Sequence, residues 1–334
     1  MRSLTDFAIR QEYERIKELG DKLVDIGNRI NWEGFRPKLE VLFNNNTERG
    51  GRPNIDVVVM LKSLFIQQLY CLSDEQLERE LADRISFRMF LGTTEIVPDS
   101  TTIWKFRERL AESGKDKDVW DELQRQLDAM NLKVKKGIMQ DASFITSDPG
   151  HAKRDTPRGD EAKTRRSKDG EWAKKGAKSY FGYKLHGVMD ENYGLIRRIE
   201  VTPANVHDSQ VDLANEGEVR YADKGYSGAK TKGYDAAMRK ATRGHPLSYK
   251  DEMRNKRISS KRSPVERFFA FTKRVCKAGH VTVTTVARVK VKMIVTGIVF
   301  NVYHLAFAKS KSSNNLSVSV KMWTNFVIRT HGQS

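Results

Sequence analysis

Apolar side chains recur at helical spacing through the first third of the chain. Phe7, Tyr13, Ile16, Leu19, Leu23, Ile26 and Ile30 mark amphipathic helices within residues 4–45. The cluster Asn44-Asn45-Asn46 through Gly50-Gly51-Arg52-Pro53 breaks that pattern, and Ile55 to Leu72 resumes it as an apolar helix. Ser73 and Gln76 stand at capping-box spacing at the start of a further helix, which the periodicity carries through Leu77, Leu81 and Ile85 toward Gly92. Pro98-Asp99-Ser100-Thr101 opens another helix through Leu110, and Val119 to Met130 reads as one more. Two short helices joined by a tight connection allow two readings here. One is a helix-turn-helix with Thr101, Thr102, Lys105 and Arg109 facing DNA; the other is a plain helical packing domain.

From about residue 134 the period changes. Val134 to Asp141 predicts a strand ending in Gln140-Asp141-Ala142-Ser143. A polar stretch from Ser147 to Lys178 follows, too long for an ordinary loop. Tyr180 to Met189 and Leu195 to Thr202 alternate like strands around Asp190-Glu191-Asn192-Tyr193-Gly194, a hairpin signal. Asn205-Val206-His207-Asp208 leads into a helix around Ser209 to Asn215, with Asn205 and Asp208 suited to turn and N-cap duty. Val219 to Asp223 is a short strand closed by Lys224-Gly225-Tyr226, and Ser263-Pro264-Val265-Glu266 opens a helix running to Cys276. Residues 284–308 form the last helix. Lys292, Asn301 and His304 interrupt its apolar run, which reads as a buried helix and not as a membrane span.

This order predicts an α/β protein: an all-helical N-terminal domain over residues 1–130, a mixed α/β core over 131–308 and a polar tail over 309–334. It places Asp141 and Asp223 at the C-terminal ends of two strands, where α/β sheets carry their sites.

Charge sharpens the picture. The 334 residues carry a formal net charge of +17, and its distribution is uneven. Residues 1–130 hold 20 Lys and Arg against 24 Asp and Glu, whereas residues 131–334 hold 40 against 19. A second half so basic points to a polyanionic partner, nucleic acid above all. Two cysteines, Cys71 and Cys276, exclude a disulfide framework and a cysteine-based zinc site. The charged N-terminus is no signal peptide, so a cytoplasmic protein with no membrane partner is expected.

Within the basic half three acids stand out, Asp141, Asp223 and Glu266, separated by 82 and 43 residues. Phosphodiester chemistry with two divalent ions needs hard oxygen ligands drawn from a few carboxylates, with cations around them to hold the phosphates. Each acid also has a structural use. Asp141 can bond the backbone that follows it, Asp223 can open the turn at Lys224-Gly225, and Glu266 completes a capping box with Ser263. Arg262 and Lys273 lie one and two helical turns from Glu266, which suits a metal and phosphate site and an ordinary ion-pair face alike. Trp172, among Lys174, Lys175 and Lys178, can stack on a frayed base or anchor a loop, and Tyr226 has the same two uses. His186 reads as a buried, hydrogen-bonded histidine, and Phe268, Phe269 and Phe271 as the buried face of the Glu266 helix.

Taken together, these blocks resemble the DDE transposases of bacterial insertion sequences. Tyr221-Ala-Asp-Lys-Gly-Tyr-Ser-Gly228 is similar to their second-aspartate block, Gln140-Asp141-Ala-Ser to the first-aspartate strand, and Tyr180-Phe-Gly-Tyr-Lys-Leu-His186 to the strand after it. Arg262, Glu266 and Lys273 resemble the family's Y-(2)-R-(3)-E-(6)-K signature, with Ser259 in place of its Tyr. Gly51-Arg-Pro through Arg109 resembles the N-terminal helical region of the InsH-like branch, the insertion-sequence-five type. The likeness spans about residues 40–308. It implies an RNase-H-like catalytic core with Asp141, Asp223 and Glu266 as ligands of two Mg²⁺ or Mn²⁺ ions. The implied reaction is hydrolysis at element ends to free 3′-OH groups, then their transfer into target DNA. The implied partner is double-stranded DNA, both terminal inverted repeats and target, bound by a homodimer in the cytoplasm, at the nucleoid. DNA contacts would come from Arg262, Lys273, Lys224, Arg267, Lys184, Trp172, Lys174, Lys175, Thr102, Lys105 and Arg109. The basic stretch 229–262 would add a DNA-contacting helix and loop. A non-catalytic protein that binds element ends, and an RNase-H-like nuclease without strand transfer, are the alternative readings.

Overall fold

The computed structural model describes residues 4–43, 54–93, 96–135, 137–150 and 167–307. The breaker cluster at 44–53, most of the polar stretch before Lys178 and the tail after Phe307 lie outside them.

The helical pattern folds much as its periodicity predicts. Helices α1 (Leu4–Glu18), α2 (Lys22–Gly27) and α3 (Arg36–Leu39) lead to α4 (Val57–Tyr70), α5 (Asp74–Asp83), α6 (Ile85–Leu91), α7 (Ser100–Ser113) and α8 (Asp116–Ala129). Side-chain caps fix the starts. Asp56 accepts from the Val58 and Val59 amides, Asp99 accepts from Thr102, and Ser73 with Gln76 forms the full capping box. Helix α4 buries ten of its fourteen residues, so it is a core helix and not a surface one. The helix expected to run from Ser73 to Gly92 is two helices. Arg84 takes extended backbone between them, with its guanidinium 5.0 Å from the Phe87 ring and ion-paired to Glu80.

Strands β1 (Gly137–Ser147), β2 (Glu171–Lys175), β3 (Lys178–Asp190), β4 (Ile196–Pro203), β5 (Val219–Ala222), β6 (Tyr234–Ala237) and β7 (His280–Val281) form one sheet among the described residues. β3 pairs antiparallel with β1 on one edge, and with β4 and then β2 on the other. β5 and β7 run parallel to β1, and β6 runs parallel to β5. Three expectations are corrected here. β1 continues six residues past Asp141 because its pairing with β3 extends to Thr146, so Asp141 lies within the strand. Trp172, Lys174 and Lys175 belong to strand β2 and not to a loop. Ser209 to Asn215 forms no helix: only a 3-10 turn, Asp208–Gln210, is present, and His207 caps it instead of Asn205 or Asp208.

The chain then forms α9 (Tyr249–Arg262), α10 (Val265–Ala270), a π-helical turn over Phe271–Val275, and α11 (Val286–Phe307). Helix α11 is long and apolar enough to cross a membrane, yet 72% of its apolar window is buried inside the fold. It packs on β4, α4, α7 and α8, so one continuous core joins Phe65, Ile103 and Leu123 to Ile199, Phe268 and Ile298. Its buried asparagine is fully used. Asn301 accepts from the Ile196 amide and donates to the Ile196 carbonyl, both at 2.8 Å, which pins the start of β4 to the helix. Gly297 lets β4 and α8 approach: a Cβ there would sit 2.4 Å from Ile199 Cδ1 and 2.8 Å from Trp120.

Candidate active site

Register brings the first two aspartates together. β1 and β5 run parallel with Met139 opposite Tyr221, and Asp141 and Asp223 each follow two residues later. The two-residue period therefore carries both carboxylates to the same face of the sheet, Asp141 within β1 and Asp223 just past the end of β5. Asp223 follows β5 directly and caps a 3-10 turn, Lys224–Tyr226, by accepting from the Gly225 amide at 2.8 Å. Its expected turn-opening role is thus real, and the carboxylate is aimed by it. Opposite Asp141 on β3 stands Gly187, where a Cβ would press on Phe268 of α10 at 3.2 Å. The missing side chain lets α10 lie against the strand pair that carries Asp141.

Glu266 is the second residue of α10. The expected capping box does not form: α9 runs through Ser263 into α10, Pro264 precedes the helix, and no side chain caps it. The Glu266 carboxylate is 61% exposed and, among the described residues, meets only Arg262, at 3.4 Å. Arg262, the last residue of α9, is itself mostly buried and reaches back to bond Asp141 through its other terminal nitrogen. One guanidinium thus joins two of the three carboxylates.

Burial pushes the Asp141 carboxyl up to about 6. Arg262 and the Ala142 amide pull it down, while Asp223 and Asp208 add to the rise. The site is therefore short of positive charge. Among the described residues no three His, Cys, Asp or Glu side chains converge closely enough to hold a metal ion. The donors nonetheless fit a hard divalent cation: they are carboxylate oxygens, one is buried and under-compensated, and the cation now between them is a side chain.

Other expected site residues divide by placement. Lys224 is exposed next to Asp223. Lys174 and Lys175 are exposed on β2, and Trp172 is half exposed with its ring 5.3 Å from Phe181. Lys273 is exposed in the π-helical turn that continues the Glu266 helix. Burial lowers its ammonium pKa, and Lys175 lowers it further, which sets these two cations near each other. Thr102, Lys105 and Arg109 line a recess beside Phe43 and Ile55, with the Arg109 guanidinium 4.6 Å from the Phe43 ring. Thr101 is exposed on the same helix.

One expected cation is not presented to a ligand. Lys184 is buried, bonding Asp208 at 2.8 Å and the Val206 carbonyl at 2.7 Å. Arg267 is exposed, with a terminal nitrogen near Gly194 of the β3–β4 turn. Tyr226 is fully buried with the Arg220 guanidinium 5.6 Å from its ring, so it offers no stacking face. His186 is buried with Nε2 2.9 Å from the Thr202 hydroxyl, and Phe268, Phe269 and Phe271 are buried as expected.

Sequence reasoning missed Asp208 as a neighbour of Asp141, and the fully buried Arg220, which ties Asp212 and Asp235 at 3.2 Å behind the Asp223 turn. Arg220 was detectable in principle, as a charge at an inward position of a short apolar strand.

Residues 127–302 match the family described as a transposase DDE domain, and residues 11–109 match the one described as a transposase domain (DUF772). No solved structure matches the chain.

Proposed function

The chain belongs to the DDE transposase family, and from that premise we propose that it is an insertion-sequence transposase, of the insertion-sequence-five type, whose centre is Asp141, Asp223 and Glu266. It is a DNA-cleaving enzyme of a family that uses divalent metal ions, with an RNase-H-like core. Antiparallel β4, β3 and β1 continue into parallel β5 and β6 in that core.

The reaction is hydrolysis at the element ends to free a 3′-OH, followed by attack of that hydroxyl on target DNA. Asp141, Asp223 and Glu266 would hold two Mg²⁺ or Mn²⁺ ions, which when bound activate the attacking oxygen and stabilise the leaving one. The observation that carries this reading is the alignment of Asp141 and Asp223 on adjacent parallel strands, with Glu266 tied to the same point through Arg262. Lys224, Lys175, Lys273 and Arg262 supply phosphate contacts around that point, and Trp172, beside Lys174 on the other face of β2, a stacking surface. Residues 1–130, with Thr102, Lys105 and Arg109 on α7, serve end recognition, and 131–308 the chemistry. Joining two ends calls for a dimer on the DNA. Lys184 has no part in DNA contact here, since it is buried and spent on Asp208, whereas exposed Arg267 remains free to reach a phosphate.

The test is cleavage of a labelled duplex carrying the element's terminal repeat and flank, with Mg²⁺. Wild type cuts at the element end, and Asp141→Asn, Asp223→Asn and Glu266→Gln bind the duplex without cutting it. Variants that cut like wild type sink the reading, and a wild type that binds without cutting leaves an end-binding protein with no catalysis.

A further inference from the structure

We infer that Arg262 is the counter-cation of this centre in the DNA-free protein, and that it passes from the carboxylates to a DNA phosphate when a divalent cation binds. Cation and DNA are then bound cooperatively. The inference rests on the assignment of the three carboxylates in the proposed function.

The geometry sets up a competition. The two terminal nitrogens of Arg262 go to different acids, Asp141 on β1 and Glu266 on α10, and its Nε has no partner. A guanidinium has five donors in one plane and matches a single carboxylate or phosphate best with two parallel bonds. Split between two acids, Arg262 makes neither of its contacts bidentate. The contact to Glu266 is long, at 3.4 Å, and that carboxylate is largely in water. A cation bridging Asp141 and Glu266 competes with Arg262, which holds one oxygen of each carboxylate.

Charge count favours the exchange. Around Arg262 stand Asp141, Asp223 and Glu266, while the nearby Asp208 is matched by Lys184. One positive charge faces three negative ones, with exposed Lys224 at the rim. A divalent ion supplies the missing charge and makes the guanidinium redundant.

Release is mechanically simple. Arg262 ends α9 where the chain turns through Ser263 and Pro264, and its side chain is already 16% exposed. Freed from Asp141, it is a planar fork beside the scissile centre, the form in which Arg binds phosphate most strongly. Coupling of this kind is reciprocal: the cation raises affinity for DNA by the factor by which DNA raises affinity for the cation. Such factors are typically about 5- to 150-fold.

Arg262→Gln separates this from two simpler roles. If Arg262 only positioned Asp141, its loss would weaken cation binding. If it only bound phosphate, its loss would leave cation binding to the DNA-free protein unchanged. The exchange predicts the opposite sign. Mn²⁺ titrated calorimetrically into the DNA-free chain should bind Arg262→Gln about 5-fold or more tightly than wild type. A short labelled duplex of arbitrary sequence suffices for the second arm, because phosphate contacts carry no sequence information. Ca²⁺ should tighten the binding of that duplex to wild type by about 5-fold or more, and to Arg262→Gln by clearly less. Arg262→Lys keeps the charge but cannot span both acids, so it too should bind Mn²⁺ more tightly, and it serves if the Gln variant does not fold. Equal or weaker Mn²⁺ binding by the variants overturns the inference. Failure of the underlying carboxylate assignment looks different: Mn²⁺ binding by wild type would be absent, or would survive Asp141→Asn and Asp223→Asn.

Discussion

The Lys184 ammonium and the Asp208 carboxylate meet at 2.8 Å on the inner side of the sheet, with the ammonium also 5.2 Å from the Phe144 ring. This pair removes from the surface a lysine that its sequence block marks as a DNA contact, and it neutralises a fourth acid beside Asp141. Removing one partner of a buried pair leaves the other charge uncompensated. Asp208 is 31% exposed, so water relieves part of that penalty. Lys184→Met should therefore destabilise the chain by about 1–3 kcal/mol in urea unfolding. The double variant with Asp208→Asn should recover part of the loss, and a strictly additive cycle would show that the pair does not couple.

His186 gives the fold an acid sensitivity. It lies opposite Ala142 on β3, one step from Asp141, with Nε2 on the Thr202 hydroxyl and Nδ1 without a partner. Burial pushes its pKa down to about 4, with Lys184 adding to the fall and Asp208 opposing it. A depressed histidine means that the folded state binds fewer protons than the unfolded state between the two pKa values. Stability from this group is full above pH 6.5 and is lost as pH falls toward 4. The loss is about 3 kcal/mol across that window. His186→Gln should flatten this part of the profile. Unfolding free energies of the two proteins that run parallel from pH 7 to pH 4 would refute it.

Much of the architecture was visible in the chain because the signals are local. Asp56, Ser73 and Asp99 cap helices with their own side chains, and the apolar period of Ile55 to Leu72 and of 284–308 is long enough to stand alone. Asp223 was legible for the same reason, since a short strand and a glycine turn frame it. What stayed hidden depends on distant partners. The extension of β1 beyond Asp141 is set by β3, some forty residues away. Strand β2 is rich in lysine and is a strand only because it pairs with the start of β3. Lys184 resembled a surface cation until the 3-10 turn at Asp208 supplied its partner. The π-helical turn over Phe271–Val275 leaves no mark in the hydrophobic period.

Gly297 tests whether the helical half and the sheet share one core. The methyl group of Gly297→Ala would stand 2.4 Å from Ile199 of β4 and 2.8 Å from Trp120 of α8. Trp120 cannot give way freely, because its indole N–H is bonded to the Arg197 carbonyl at 2.9 Å. Overpacking of this kind costs about 1–3 kcal/mol. Because α8, α11 and β4 meet at this point, the drop should appear as a single cooperative transition, shifted to lower temperature in calorimetry. Two separated transitions would mean that the halves unfold independently.

The β2 hairpin yields a prediction about DNA that rests on strand alternation alone. Lys174 and Lys175 are neighbours in sequence, so their side chains leave opposite faces of β2. Lys175 shares a face with Glu171 and Ala173, and its charge lowers the pKa of Lys273, so the two ammonium groups repel each other in the DNA-free chain. Holding two like charges together is unfavourable until an anion sits between them, and a phosphate would relieve both at once. Lys175→Ala and Lys273→Ala should each weaken duplex binding and reduce the slope of log affinity against log salt by about 0.9. The double variant should lose less than the sum, because each single change already relieves the repulsion felt by the other. Lys174→Ala, on the far face with Trp172, should leave that slope unchanged. A Lys174 variant that alters the slope as much as the Lys175 variant would mean that DNA lies along the edge of β2 and not across the face that carries Lys175.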